Sequence, residues 1–490
     1  MVTRKHLRSG RVVTDWVRIE VPGLCASAAI LFTMQISPQI RPATRSLSQL
    51  FSGAFLAVTL VGCAAIDPNH VLTRRIGNEA PNDGAALDTR TRQQAYDFVW
   101  NRINEAYVDP KLHGVNWEQA GQDHKGKILA AANDDLFWKS LDGMVAELGD
   151  AHTRVLSPRQ YAFDKEKQGL TLGLLLADLG SEVVVMAVTQ ASPAEKAGIQ
   201  KGNRLLTIDA MPALEWWKAQ ISKARKNSTD RARLKSVKRI FNSGDPETPS
   251  NTLQLRVERN DGSNFQTTLT RALMPSKDTL TAKLLDSGVA YIRLTGFDAK
   301  LSGDVRSVFQ TVRGAKGLVV DLRGNGGGSL GLSIRLMNQL VSGRIPIGKR
   351  ITRTGKPPSL LMGLLPLGTL ELELVGVSKP FLGPVVVLVD GDSASASEFF
   401  AGSLQAIRRA QIVGETTCGC LLGYMGYANV PGGGALAYSE LDFAPLLGPR
   451  IEGYGVQPDY TVHTTRQDLI DGKDQALDQA IQMLKNRQDP

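Results

Sequence analysis

Cysteine is scarce in this chain, with four in 490 residues. That excludes a disulfide-stapled scaffold. Cys418 and Cys420 are spaced too closely for a relaxed disulfide and are too few for a zinc site. They read instead as two small buried side chains. Long apolar runs are also missing. The run from Leu50 to Val61 is too short to cross a bilayer as a helix but suits the core of a secretory signal. The chain also lacks the charge pattern of a nucleic-acid protein. Of the net charge of +9, about half comes from residues 1–62, with seven Lys/Arg against two Asp/Glu. The basic run Lys223–Arg239 reads as the solvated face of a helix. No internal repeat stands out. A composition of 42% hydrophobic and 21% charged residues argues against large-scale disorder, and the length allows two or three domains.

What is present begins with an export signal. Arg41 and Arg45 precede the apolar run, which ends in LVGC at Leu60–Cys63. This ending resembles the lipobox of bacterial lipoproteins, which implies that Cys63 becomes the lipidated first residue of the mature chain. By the same resemblance, Ala64 favours the outer membrane. The chain then divides into a leader at 1–62, a linker at 63–90, a helical domain at 91–160, a β-rich domain at 166–273 and an α/β core at 274–490. The linker is rich in Asn, Asp, Pro and Gly. In the helical part Phe98, Val99, Ile103 and Tyr107 recur at intervals of three and four. In the β-rich part, VVVMAVTQASPAEKAGIQKGNRLLTIDAMP (Val183–Pro212) runs strand, short helix, Gly-containing turn, strand, and resembles a PDZ domain. The preceding Gly169, Leu170, Thr171, Leu172 and Gly173 stand where PDZ domains place their carboxylate-binding loop. Consecutive backbone N–H groups there grip a peptide C-terminus while the peptide adds as an edge strand.

Two segments carry the chemistry. VVVLVDGDSASASEFFAGSLQ (Val385–Gln405) starts as a buried strand and continues at helical spacing through Phe399, Phe400 and Leu404. A serine at this junction is either a helix cap or, beside the unpaired N–H groups of a helix start, a nucleophile. Ser395 is the candidate. GLVVDLRGNGGGS (Gly317–Ser329) is a strand that runs into four glycines within five residues. Such a turn brings backbone amides close to a bound group. It lacks both the GxxxxGK[ST] lysine and the GxGxxG order of phosphate-binding loops. Gly326 or Gly327 with the amide of Ala396 would form an oxyanion hole.

The PDZ-like segment, DLRGNGGG and DGDSASASEFFAG occur together and in order. This resembles the carboxyl-terminal processing (tail-specific) serine peptidases and their tricorn-core relatives over roughly residues 95–465. The resemblance implies a crotonase-like (ClpP-like) α/β peptidase core carrying a PDZ domain, with Ser395 as nucleophile. One departure decides the expected mechanism. Tail-specific peptidases place a lysine base in a GxxTxGKG segment; here GETTCGCLLG (Gly414–Gly423) puts Cys420 at that position. His152, in GDAHTRV, matches the histidine motif of tricorn-like members, and Glu452, in IEGYGVQPDY, their acidic residue. The extra serine that tricorn places before the histidine is Ala151 here. The expectation is a Ser395–His152–Glu452 triad in an envelope endopeptidase, lipid-anchored and facing the periplasm. It would act on peptides or protein C-terminal tails, with no metal, organic cofactor or nucleic acid required. The alternative is a catalytically silent lipoprotein that binds peptides or apolar ligands on the same fold.

Overall fold

The computed structural model describes residues 86–165, 168–244, 251–275, 277–360 and 364–486. The leader, Cys63 and nearly all of the linker lie outside the described residues. Helices α1 (Thr89–Ala106), α2 (Trp117–Leu129) and α3 (Asp134–Val145) open the structure. Each starts at an Asp or Asn whose side chain accepts an otherwise orphaned amide: Asp88 from Thr91, Asn116 from Gln119 and Asn133 from Leu136. Their apolar faces, with Val99, Ile103, Phe137 and Leu141, do not form a core of their own. They pack with Leu422, Val430, Leu436 and Tyr438 from far along the chain. A Cβ on Gly434 would stand 2.4 Å from the Trp138 ring, so this close approach requires glycine. After α3 the chain turns through Gly149 into β1 (Arg154–Leu156), which pairs with the strand Gly434–Ala437.

The PDZ-like part follows. Its strands β2 (Gln168–Thr171), β3 (Leu174–Asp178), β4 (Val183–Val188) and β5 (Arg204–Ile208) precede two helices, α4 (Ala213–Lys223) and α5 (Asp230–Ser243). Strands β6 (Thr252–Glu258), β7 (Asn264–Thr270) and β8 (Ala272–Pro275) complete it. The sheet order is β3-β4-β5-β6-β7, while β2 pairs with β8. The basic insert is therefore α4, a short connection and α5, with Trp217, Val237 and Phe241 in the core of this unit. Its basic face is not simply solvated, contrary to expectation. Arg225 donates to the Thr153 carbonyl, Arg231 to those of Thr417 and Tyr454, and Lys238 to the Asp392 carboxylate.

The core sheet runs β9 (Leu280–Leu284), β10 (Ala290–Leu294), β11 (Leu318–Asp321), β12 (Val385–Val389), β13 (Gln411–Gly414) and β14 (Tyr460–Thr461) in sheet order. The β9 edge is antiparallel and the other pairs are parallel. Both faces are covered. Val385, Val387 and Val389 pack with Phe399 and Phe400, while Val386 and Leu388 pack with Ala480 and Leu484. That two-sided burial is why β12 is apolar at every position. Helix α6 (Ala396–Ala406) follows β12 directly.

The crotonase-like (ClpP-like) description does not hold. The α/β part is not a self-standing C-terminal unit. A strand from before the PDZ-like region (β1) completes one of its sheets, and the N-terminal helical segment supplies most of the apolar cluster beneath that sheet.

Candidate active site

Loops leaving β11, β12 and β13 meet at the carboxyl edge of the sheet, where strand ends leave backbone groups open to a ligand. Ser395 sits at the β12–α6 junction with φ 55° and ψ −114°, a costly conformation for a residue with a Cβ. Its N–H donates to the Cys420 carbonyl at 3.1 Å and to Glu398 Oε2 at 3.0 Å. Glu398 is buried and also accepts from the Thr417 hydroxyl (2.6 Å) and the amides of Gly419 (2.6 Å) and Cys420 (2.9 Å). Burial raises the pKa of Glu398, while these bonds oppose the rise. One carboxylate thus ties the serine turn to the loop after β13. The glycine loop closes against the other side. A Cβ on Gly327 would stand 2.7 Å from Ser395 Cβ and 2.9 Å from the Ala396 nitrogen, and its φ is +96°, so glycine is required.

His152 comes to this place from the other end of the chain. Its turn is pinned by buried Asp150, whose Oδ1 accepts the His152 N–H at 2.7 Å. Asp150 Oδ2 accepts the hydroxyls of Thr153 (2.5 Å), Ser439 (2.6 Å) and Tyr107 (3.1 Å). Ser395, His152, Ala396, Gly326 and Gly327 line one cleft of about 840 Å³. Burial holds the His152 pKa below its ordinary 6.5; Asp150 pulls it up, and Arg154 and Lys235 push it further down. The imidazole is therefore neutral at pH 7 and able to accept a proton.

Three other expected roles meet a different geometry. Glu452 is buried, but its Oε2 accepts the amides of Leu421 (2.5 Å) and Leu422 (3.0 Å), and no hydrogen bond joins it to His152 among the described residues. His152 Nδ1 is buried without a partner. Burial first, then Asp150, pushes the Glu452 carboxyl up to about 7. Of the oxyanion-hole amides, Gly327 N–H is already taken by Asn325 Oδ1 at 2.9 Å. The amides of Gly326 and Ala396 have no acceptor among the described residues.

The expected carboxylate-binding loop is likewise occupied. Gly169, Leu170 and Thr171 are in β2, laddered to β8. Leu172 N–H donates to the Asn242 carbonyl (2.9 Å), Gly173 N–H to Thr171 Oγ1 (3.0 Å) and Leu174 N–H to Asn242 Oδ1 (3.0 Å). Asn242, at the end of α5, stands where a peptide carboxylate would bind. Cys418 and Cys420, expected as separate thiols, are joined in a disulfide, because the Gly419 turn at φ +75° brings their Cα atoms to 5.3 Å.

Sequence reasoning read Asp150 only as a turn former, which it is, and missed Glu398 and Asn242. Only Glu398 had a local signal, a carboxylate three residues after a helix-start serine. Among the described residues no group of three or more His, Cys, Asp or Glu is placed to hold a metal ion. No helix among them is long and apolar enough to cross a membrane.

Comparison with known proteins places the chain in a family. Residues 288–462 match the model of peptidase family S41, and residues 88–146 match the tricorn protease C1 domain. A carboxyl-terminal-processing protease of Picosynechococcus sp. is 30% identical over 377 residues, covering 74% of this chain and 81% of that one. The chain belongs to this family. It is a serine peptidase with peptide or protein substrates. Another carboxyl-terminal-processing protease, from Synechocystis sp., is 27% identical over 78% of this chain and 83% of its own length. Among solved structures, the photosystem II D1 C-terminal processing protease aligns over 79% of this chain and 98% of its own, at 21% identity and a TM-score of 0.50. Mature CPAF complexed with lactacystin aligns over 81% and 99%, at 15% identity and a TM-score of 0.61. These two likenesses concern the fold alone. They describe an α/β peptidase with a PDZ-like β domain in place of the crotonase- or ClpP-like core expected from sequence.

Proposed function

We propose that this S41 peptidase cleaves near protein or peptide C-termini through an acyl-enzyme on Ser395, with His152 as the base. The observation that carries this reading is that a serine at positive φ, a neutral histidine and two unengaged amides line one cleft, with no hydrogen bond yet joining Ser395 to His152 among the described residues. Ser395 Oγ attacks the scissile carbonyl carbon, and its proton passes to the His152 imidazole. The oxyanion forms against the amides of Ala396 and Gly326. His152 returns the proton to the departing amine, and water then releases the acyl group by the same route in reverse. Asp150 positions the histidine through its backbone. Glu452 joins as third member when its carboxylate leaves the Leu421 and Leu422 amides for His152 Nδ1. Arg41, Arg45 and the LVGC ending support delivery to the cell envelope, with a lipid on Cys63 holding the enzyme at the outer membrane, facing the periplasm. We divide the folded body into the helical part 91–160, the PDZ-like part 166–273 and the core 274–490. A peptide tail reaches the Leu172–Leu174 amides only by displacing Asn242.

A fluorophosphonate should label the protein, and Ser395→Ala should remove the label. His152→Ala should lower kcat by about a thousandfold or more, since the serine loses its proton acceptor. Peptide binding to His152→Ala should be retained. Labelling that survives Ser395→Ala would sink the assignment.

A further inference from the structure

The active cleft carries more positive charge than its acids neutralise. Lys235 reaches it from α5, and its Nζ lies 3.3 Å from where a Cβ on Gly326 would stand, one residue from the Gly327–Ser395 contact. Its single described hydrogen bond is to a backbone carbonyl, that of Asp392, at 2.5 Å. Burial holds its pKa below the ordinary 10.5, and three carboxylates, those of Asp392, Asp390 and Glu398, oppose that fall. All are engaged elsewhere. Asp392 pairs with Lys238 at 2.7 Å. Asp390 accepts the amides of Gly324, Asp392 and Ser393. Glu398 holds the serine turn, as described above. Arg350, on the strand Arg344–Ile351, lines the same cleft. No acid or carbonyl accepts from its guanidinium among the described residues, its Nε is buried without a partner, and only burial acts on its pKa. The one acidic residue lining the cleft, Asp442, is paired with Arg450 at 3.0 Å.

Half-buried cations without a counter-charge are costly unless a ligand supplies one. We propose that Lys235 and Arg350 form a carboxylate-binding subsite of the active cleft. The preferred substrate then carries a carboxylate in the bound segment, either the α-carboxylate of a chain end or an acidic side chain. Lys235 offers a point charge and Arg350 a planar fork that suits a carboxylate. This inference rests on the peptidase reading and names its substrate class. It also accounts for Asn242: with the PDZ-like amides occupied, the cleft itself is where a substrate carboxylate finds positive charge. Because Lys235 belongs to α5, the PDZ-like unit contributes a residue to substrate selection at the catalytic site.

Matched quenched-fluorescence peptides test it, ending in a free acid or an amide, and, in the amidated form, carrying Glu or Gln beside the scissile bond. The charged member of at least one pair should show a kcat/KM at least about tenfold higher, mainly through KM. A difference between acid and amide identifies the α-carboxylate, and one between Glu and Gln the acidic side chain. The ratio should fall toward one in Lys235→Met and in Arg350→Met, and Lys235→Arg should restore part of it. Fluorescence anisotropy of the same peptides with Ser395→Ala should show the same preference in Kd, a readout that needs no turnover. Equal kcat/KM and Kd within both pairs overturns the proposal, as does a ratio that persists in both Met variants. Failure of fluorophosphonate labelling would strike the catalytic reading instead and leave the binding comparison to decide this one.

Discussion

At the scale of residues, two carboxylates flank the histidine turn and their surroundings set them apart. Asp150 is spent on three hydroxyls and the His152 amide, so its task is to hold the turn. Glu452 is equally buried, yet no Lys or Arg forms an ion pair with it among the described residues, and only the Ser228 hydroxyl and two amides support its charge. Its carboxyl therefore titrates at about 7 instead of the ordinary 4.5. A raised carboxyl pKa adds stability that is fully present below pH 4.5 and is lost as pH rises through about 7. The wild-type protein should lose on the order of 3 kcal/mol of stability across that window through this one group. Glu452→Gln should remove that part of the slope. Urea unfolding at pH 5 and pH 8 measures it, and an unchanged slope in the variant would show that Glu452 is not the titrating group.

Among the elements, α5 does the most joining. Its apolar side packs into the PDZ-like core through Val237 and Phe241. Its start crosses to the loop after β13, where Thr229 donates to the Cys418 carbonyl and Arg231 to the carbonyls of Thr417 and Tyr454. Those carbonyls flank the disulfide loop whose Cys420 carbonyl accepts the Ser395 amide. Arg231→Ala should thus cost about 1.5–3 kcal/mol of docking, the range for hydrogen bonds to a charged donor, and loosen the loop that shapes the serine turn. Hydrogen exchange would detect this as faster exchange at α5 and at residues 417–421, with the strands of the PDZ-like sheet unaffected. Unaltered exchange at 417–421 would mean that the helix does not brace the site.

For the whole molecule, the apolar clusters define what unfolds together. The N-terminal helices and the β1 sheet share one cluster with Leu422, Ala428, Val430, Leu436 and Tyr438, so neither side buries its surface alone. The PDZ-like sheet has a cluster of its own. Calorimetry should therefore show the helical part and the core melting in one transition. Truncation of everything before residue 274, β1 included, should leave a core that does not fold, because the strand Gly434–Ala437 loses β1 and its apolar underside, stripped of the N-terminal helices, meets water. A folded, soluble fragment beginning at residue 274 would contradict this.

Much of this protein is legible from local runs of sequence. The apolar β12 followed by small residues, the glycines at 324–328, the strand-turn-strand order of the PDZ-like part and the helical spacing near Phe98 all express backbone and burial rules that act within a dozen residues. Ser395 falls in this class, because its position depends on the strand before it and the helix after it. Relations between distant segments were not legible. That Lys235 enters the cleft, that Asn242 fills the PDZ-like loop, that Glu452 faces amides and not His152, and that β1 completes a distant sheet depend on how separate units dock. Docking is decided by surface shape and by which buried polar groups find partners, and no local pattern encodes either. The sequence alone determined the family, the place of Ser395 between strand and helix, and the absent lysine; only the tertiary structure decided what surrounds that serine in the lysine's place.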